Sequence, residues 1–216
     1  MKFKAVLFDL DGTLLDTIQD LADSMNAVLI RSGFPTHCVD DYKNFVGDGM
    51  VELAKRVLPK DKLNEETVNR CVFEMREEYS KRWTDKTKPY DGIKELLDSL
   101  TVKKVKLTVL SNKPHDFTKV VVAKFFSDWH FDAVYGERPS VPKKPDPSGA
   151  MDIARIINIQ PCEFLYLGDT NVDMKTANSA GMYAVGASWG FRKIDELLVS
   201  GARAIVNHPL EVLGLL

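Results

Sequence analysis

Short apolar runs punctuate the sequence, and none of them alternates with polar residues. They are Ala5 to Phe8, Leu107 to Leu110, Phe164 to Leu167, Tyr183 to Val185 and Ala204 to Val206. A strand with one wet face alternates; an unbroken apolar run fits a strand buried on both faces of a parallel sheet. Helical patterns fall between these runs, at Ile93 to Leu100, Phe117 to Phe126, Ala150 to Ile157 and Met174 to Ala180. Strand alternating with helix predicts an α/β fold with a doubly wound, Rossmann-like parallel-sheet core.

Residues 16–85 break that rhythm. Leu21, Met25, Val28 and Leu29 lie on one face of a helix, Val51, Ala54 and Leu58 make a second stripe, and Val68, Val72, Met75 and Tyr79 a third. The pattern predicts a small helical domain, 16–85, inserted into a catalytic core made of 1–15 and 86–216. The return to the core falls near Lys88-Pro-Tyr-Asp-Gly92, where Pro and Asp-Gly mark a boundary. A unit mounted on two neighbouring crossings can swing as a lid.

Composition narrows the partners. The 216 residues carry a formal charge of -2, with 44% apolar and 28% charged residues, enough for a real core under an ordinary soluble surface. The basic residues are scattered, so nucleic acid lacks the clustered face it needs. The three cysteines, Cys38, Cys71 and Cys162, have no CxxC spacing and are expected as buried or half-buried thiols in a reducing compartment. The apolar run at the start is short for a signal peptide, and no run approaches the ~18–20 residues of a membrane span. The expectation is a cytoplasmic protein, monomeric or homodimeric, acting on a small molecule.

The chemistry gathers where the apolar runs end. Asp9-Leu10-Asp11-Gly12-Thr13 follows the first run. Residues two apart in an extended chain face the same way, so Asp9 and Asp11 can address one point, and Gly12 permits a sharp turn. Ligands of open α/β sheets bind at this end of the strands. Paired carboxylates repel unless one is protonated or a cation lies between them, and hard oxygen ligands select Mg²⁺. Gly168-Asp169-Thr-Asn-Val-Asp173 follows another run; Asp169 falls at the strand end and Asp173 four residues on, with helix capping by Asp169 as the alternative. Ser111-Asn112 follows a third run and offers a hydroxyl and backbone N–H groups at an expected helix start, either a phosphate site or an N-cap. Lys144, in a stiff Lys-Lys-Pro-Asp-Pro segment, can act as a point charge on phosphate or be an ordinary solvated lysine.

Taken together, these segments resemble the haloacid dehalogenase superfamily of phosphotransferases across essentially the whole chain. Its DxDGT motif matches Asp9 to Thr13, its Ser or Thr after a strand matches Ser111, its Lys matches Lys144, and its GDxxxD motif matches Gly168 to Asp173. The insert resembles the family's small helical cap. Asp11 argues against the dehalogenases, and the chain is far shorter than the phosphate-pumping ATPases. Within the superfamily it is most similar to phosphoglycolate phosphatases, through Asp16 to Leu21, Phe45 to Gly49, Ser111 to Pro114 and Ser188 to Phe191. The resemblance implies an Mg²⁺-dependent phosphatase in which Asp9 is the nucleophile and Asp11 the general acid and base. It implies that Asp9, Asp169, the Asp11 carbonyl and Asp173, directly or through water, hold the metal. Ser111, Asn112 and Lys144 would bind phosphate. In the insert, the loop Gly47-Asp48-Gly49 is either a substrate loop reaching over the site or a plain turn between helices. Asp48 there would disfavour an anionic leaving group.

Other readings compete. A phosphomutase acting on a sugar phosphate would use the same Asp9 chemistry. A non-catalytic phosphate-binding protein would keep the fold alone. A serine hydrolase would use Gly186-Ala-Ser188-Trp-Gly190 with Asp195 and His208, but those partners follow too closely to leave room for the usual intervening strands. The same loop can instead form a wall of the phosphate site with Trp189. The histidines, His37, His115, His130 and His208, have no metal-ligand spacing and are expected in surface or capping roles.

Overall fold

The computed structural model describes residues 2–216. The elements in chain order are β1 (Ala5–Phe8), β2 (Leu15–Asp16), α1 (Ile18–Arg31), α2 (Val39–Phe45), α3 (Met50–Val57), α4 (Glu65–Arg82), β3 (Lys88–Pro89), α5 (Ile93–Val102), β4 (Lys106–Pro114), α6 (His115–Phe125), β5 (Ala133–Glu137), α7 (Ser148–Ile156), β6 (Phe164–Gly168), α8 (Asn171–Ser179), β7 (Tyr183–Ala187), α9 (Ile194–Val199) and β8 (Ala204–Val206). They form two compact units, one of 1–15 with 89–216 and one of 16–88.

The first unit is built on a six-stranded sheet in the order β5-β4-β1-β6-β7-β8, and the pairings are parallel. This is the doubly wound α/β architecture expected from the apolar runs. The chain winds outward from β1 to β5, then jumps back to place β6 on the other flank of β1. The strand order therefore reverses between β1 and β6, where such sheets open a crevice for ligands. Each β1 residue is inaccessible to solvent, as its unbroken apolar run requires. Burying Leu7 or Phe8 in this way contributes about 1.5–3 kcal/mol each. Helices α7 and α8 cover one face of the sheet, setting Ala150, Ile153, Met174 and Ala177 against Leu7, Leu110 and Tyr166.

Two differences from the sequence expectation bear on the site. Strand β4 runs on through Ser111 and Asn112 to Pro114, so α6 begins only at His115. These two residues are not at a helix start, and no helix N–H groups open there. Strand β5, which opens on Ala133-Val-Tyr135, is an additional edge strand with a half-buried pattern.

The second unit is helical. Helix α1 packs on α4, and Glu78 of α4 accepts from Arg31 at 2.7 Å and from Arg82 at 2.7 Å. Asp20, buried near the start of α1, accepts from the backbone N–H groups of Lys86 and Thr87 and from the Thr87 hydroxyl. This clasp ties the two ends of the unit together. Helix α3 buries Leu53, Ala54 and Val57, whereas Val51, expected in its apolar stripe, is exposed. The thiols also depart from expectation: Cys71 is buried, but Cys38 and Cys162 are exposed. Among the described residues, no helix is long and apolar enough to cross a membrane.

Candidate active site

The sheet register assembles the motifs. Phe8 pairs with Val109 on one side and with Leu167 on the other. The residues after these three strands are therefore neighbours at one end of the sheet, and the Asp9 N–H donates to the Leu167 carbonyl at 2.9 Å. The chain then turns at Gly12, whose φ of +88° lies in the region glycine favours. The Gly12 N–H closes this turn on the Leu15 carbonyl at 2.8 Å.

Asp9, Asp169 and Asp173 converge, with one carboxylate oxygen from each lying within 4.8 Å of the others. All are buried, Asp169 and Asp173 completely. Each is held separately. Asp169 Oδ1 accepts from the Thr13 hydroxyl at 2.9 Å, and Oδ2 from the Phe191 N–H at 2.7 Å. Asp173 Oδ2 accepts from the Thr170 hydroxyl at 2.6 Å, in a capping box that starts α8. The helix cap is thus Thr170, and Asp169 is left to face the cluster. Glycines surround Asp169 closely: a Cβ on Gly12 would lie 2.8 Å from its Cγ, and one on Gly190 would overlap its side chain.

Lys144 reaches this cluster from the Pro-rich segment. Its Nζ is 2.8 Å from Asp9 Oδ1 and 2.6 Å from Asp173 Oδ1, and the side chain is almost wholly buried. Lys144 is not a solvated lysine. Asn112 holds it in place by a reciprocal clasp: Asn112 Nδ2 donates to the Lys144 carbonyl at 3.0 Å, and the Lys144 N–H donates to Asn112 Oδ1 at 2.9 Å. The Asn112 side chain thus fixes the backbone of the lysine. Ser111 is buried beside it, with its Oγ accepting from the Lys113 N–H at 3.2 Å.

Asp11 lies apart from the carboxylate cluster. Both its oxygens accept from Lys113 Nζ, at 2.8 and 2.9 Å. Lys113 was not among the expected site residues. The signal was available: it stands two residues past Ser111 in the same strand, so alternation turns it to the side that Ser111 faces.

The electrostatics describe a site with surplus negative charge. Burial, and then the neighbouring Asp173 charge, push the Asp9 carboxyl well above the ordinary range, with Lys144 opposing them. Burial and Asp173 also raise Asp169, to about 7, against the Phe191 and Thr13 hydrogen bonds. Burial alone would lower the Lys144 ammonium; Asp173 and Asp9 outweigh it and hold the group protonated. Three buried carboxylates thus share one ammonium, which pairs with two of them, Asp9 and Asp173. The residual charge and the all-oxygen donor set fit a hard divalent cation.

Other expected groups are engaged as follows. Trp189 Nε1 donates to the Thr13 carbonyl at 3.0 Å, which brings its loop against the motif turn. The Ser188 hydroxyl donates to Asn207 Oδ1 at 2.9 Å, and His208 Nδ1 accepts from the Leu210 N–H, so this serine and histidine have other partners. In the helical unit, Gly47 and Gly49 have φ of +121° and +86°, and between them Asp48 is paired with Arg56 at 2.5 Å.

Residues 6–187 match the family described as haloacid dehalogenase-like hydrolases. The chain belongs to this family. A phosphoglycolate phosphatase of Aquifex aeolicus is 33% identical over 192 residues, covering 89% of this chain and 88% of that one. A phosphoglycolate phosphatase of Psychrobacter arcticus is 32% identical over 199 residues, covering 88% and 86%. Among solved structures, a Lactobacillus delbrueckii subsp. bulgaricus protein assigned provisionally as a phosphoglycolate phosphatase superposes with a TM-score of 0.93 at 31% identity, covering 98% of this chain and 97% of that one. In this haloacid dehalogenase-like hydrolase, Asp9, Asp169 and Asp173 gather around one point and Lys144 pairs with two of them.

Proposed function

We propose that this family member is an Mg²⁺-dependent phosphatase that hydrolyses a small phosphate monoester, with phosphoglycolate the leading candidate, through an aspartyl phosphate on Asp9. That it is a phosphatase of the haloacid dehalogenase type rests on its family and relatives. The single observation that supports the mechanism is the buried convergence of Asp9, Asp169 and Asp173, with Lys144 paired to Asp9 and Asp173.

In the first step an Asp9 carboxylate oxygen forms a bond to phosphorus while the ester P–O bond breaks. Asp11 gives its proton to the departing alkoxide. In the second, water attacks phosphorus, Asp11 takes the water proton, and the Asp9–phosphorus bond breaks to release inorganic phosphate. Lys144 and Ser111 hold phosphoryl oxygens. Asn112 acts through Lys144 by fixing its backbone. Thr13 and Phe191 keep Asp169 oriented, and Thr170 does the same for Asp173. Mg²⁺, held by Asp9, Asp169 and Asp173 with the Asp11 carbonyl, would supply neutralisation of the phosphoryl charge. General acid catalysis contributes only ~10²–10⁴ to a reaction that enzymes accelerate by up to ~10²¹. Positioning and charge stabilisation must supply the rest, which is why the groups are buried and doubly held.

The helical unit 16–88 acts in this reading as a cap that selects substrate through Gly47-Asp48-Gly49. Asp48 is compensated by Arg56, which removes the objection that its charge would repel an anionic leaving group. The test is phosphate release from a panel of small esters, with and without Mg²⁺. Mg²⁺-dependent release with phosphoglycolate among the best substrates is expected. Interconversion of sugar phosphates without net release, or inertness toward the whole panel, would refute the proposal.

A further inference from the structure

Lys113 is a lysine that the proposed mechanism leaves without a task. Its side chain is 4% exposed and ends on both oxygens of Asp11, at 2.8 and 2.9 Å. Its position is fixed by the strand that carries Ser111, since the Lys113 N–H donates to Ser111 Oγ. Its ammonium also lies 5.7 Å from the Phe117 ring centroid. This is a built cation site rather than a surface lysine.

We infer that Lys113 is the specificity residue for the leaving group, recognising a carboxylate borne one carbon from the ester oxygen. The inference rests on the reading of Asp11 as the group that serves the leaving oxygen. Whatever contacts Asp11 then lies within two hydrogen-bond lengths of that oxygen. A 2-phosphohydroxy acid carries its carboxylate at that distance from the ester oxygen, so the carboxylate reaches Lys113 while the ester oxygen reaches Asp11. Geometry also favours an exchange. As the pair stands, Lys113 holds both Asp11 oxygens, and one must turn to the leaving oxygen. A substrate carboxylate that takes over part of the ammonium's hydrogen bonding frees that oxygen without leaving the buried cation unpaired. A neutral leaving group offers no such replacement. Lysine suits this better than arginine, because its ammonium carries three rotatable donors on a flexible stem and can share two anions.

The experiment compares kcat/KM for phosphoglycolate and for p-nitrophenyl phosphate in the wild type, Lys113→Met and Lys113→Arg, together with inhibition by free glycolate. Thermal melts check that each variant is folded. The wild type should prefer phosphoglycolate. Lys113→Met should lower the phosphoglycolate to p-nitrophenyl phosphate ratio at least tenfold and weaken glycolate inhibition by a similar factor, and Lys113→Arg should restore part of both. An equal fall on both substrates, with glycolate inhibition unchanged, would mean that Lys113 serves Asp11 alone and would overturn the inference. A wild type that cleaves phosphate esters without preferring the carboxylate-bearing one would overturn it while leaving the phosphatase reading intact. A wild type that releases phosphate from nothing would overturn both.

Discussion

Lys144 and Asp9 form a buried ion pair, with Nζ 2.8 Å from Oδ1, although they stand far apart in the sequence. The same ammonium also pairs with Asp173, so this one residue compensates Asp9 and the second acidic motif together. Replacing it by Met strands buried carboxylates without a cation. Lys144→Met should cost about 3–5 kcal/mol of stability in the metal-free protein, measured by urea unfolding in EDTA. Its turnover with Mg²⁺ should fall by at least ~10²–10³-fold. Unchanged unfolding in EDTA would contradict the electrostatic account.

The raised carboxyls predict a particular pH dependence. Asp169 is held at about 7 in the fold against an ordinary 3.8. Between these values the folded protein keeps a proton that the unfolded chain has lost, so metal-free stability falls as pH rises from about 4 to about 7. Asp23, Glu78, Asp146 and Glu163 are held below their ordinary range, so their contribution has the opposite sign at more acid pH. Comparing the wild type with Asp169→Asn between pH 5 and pH 8 isolates the Asp169 effect. The wild type should lose stability over that span in EDTA, and the variant should lose less. Mg²⁺ at a hundred times its dissociation constant should restore about 2.7 kcal/mol at pH 8, and less at pH 5, where protons compete for the carboxylates.

The clasp between Asn112 and the Lys144 backbone predicts that a residue touching no substrate still matters. Asn112→Ala leaves a buried N–H and carbonyl without that partner, at about 1–3 kcal/mol. It also loosens Lys144, for which a ~10²-fold fall in kcat is expected. Urea unfolding and steady-state kinetics check the two effects. A rise in KM with kcat unchanged would instead assign Asn112 to direct substrate binding.

The glycines beside Asp169 predict steric sensitivity. Gly12→Ala places a methyl against the carboxylate and strains a backbone at φ +88°, and Gly190→Ala overlaps the same side chain from its own side. Each should lose about 1–3 kcal/mol of stability and weaken Mg²⁺ binding, measured by the Mg²⁺-induced rise in melting temperature. A full Mg²⁺ response in either variant would show that Asp169 has room to move.

The fold was legible wherever burial left an unbroken apolar run. Strands β1, β6 and β7 lie in the middle of the sheet and read directly. Strand β5 did not, although it opens on the apolar Ala133-Val-Tyr135, because that run gives way at once to Gly136-Glu137 and only its first residue is buried. Helix α2 was missed because only Tyr42 of its residues is buried, too few for a stripe. In the site, Asp9 and Asp169 were legible because each follows a strand's apolar run, and Asp173 because it stands four residues past Asp169. What could not be read was the division of labour among polar groups. Asn112 and Lys113 are neighbours in one strand, yet one side chain turns to a distant backbone and the other to a distant carboxylate. Those partners are set by sheet register, which a single sequence does not print.

The central claim is that Asp9 carries the phosphoryl group, and rapid acid quench of single-turnover mixtures tests it most directly. Wild-type enzyme, labelled phosphoglycolate and Mg²⁺ should yield a transient protein-bound phosphate, labile to hydroxylamine, that maps to the peptide containing Asp9. Asp9→Asn should yield neither label nor phosphate release while melting at a temperature close to that of the wild type. Label on another residue, or turnover by Asp9→Asn with deamidation excluded by mass, would contradict the account.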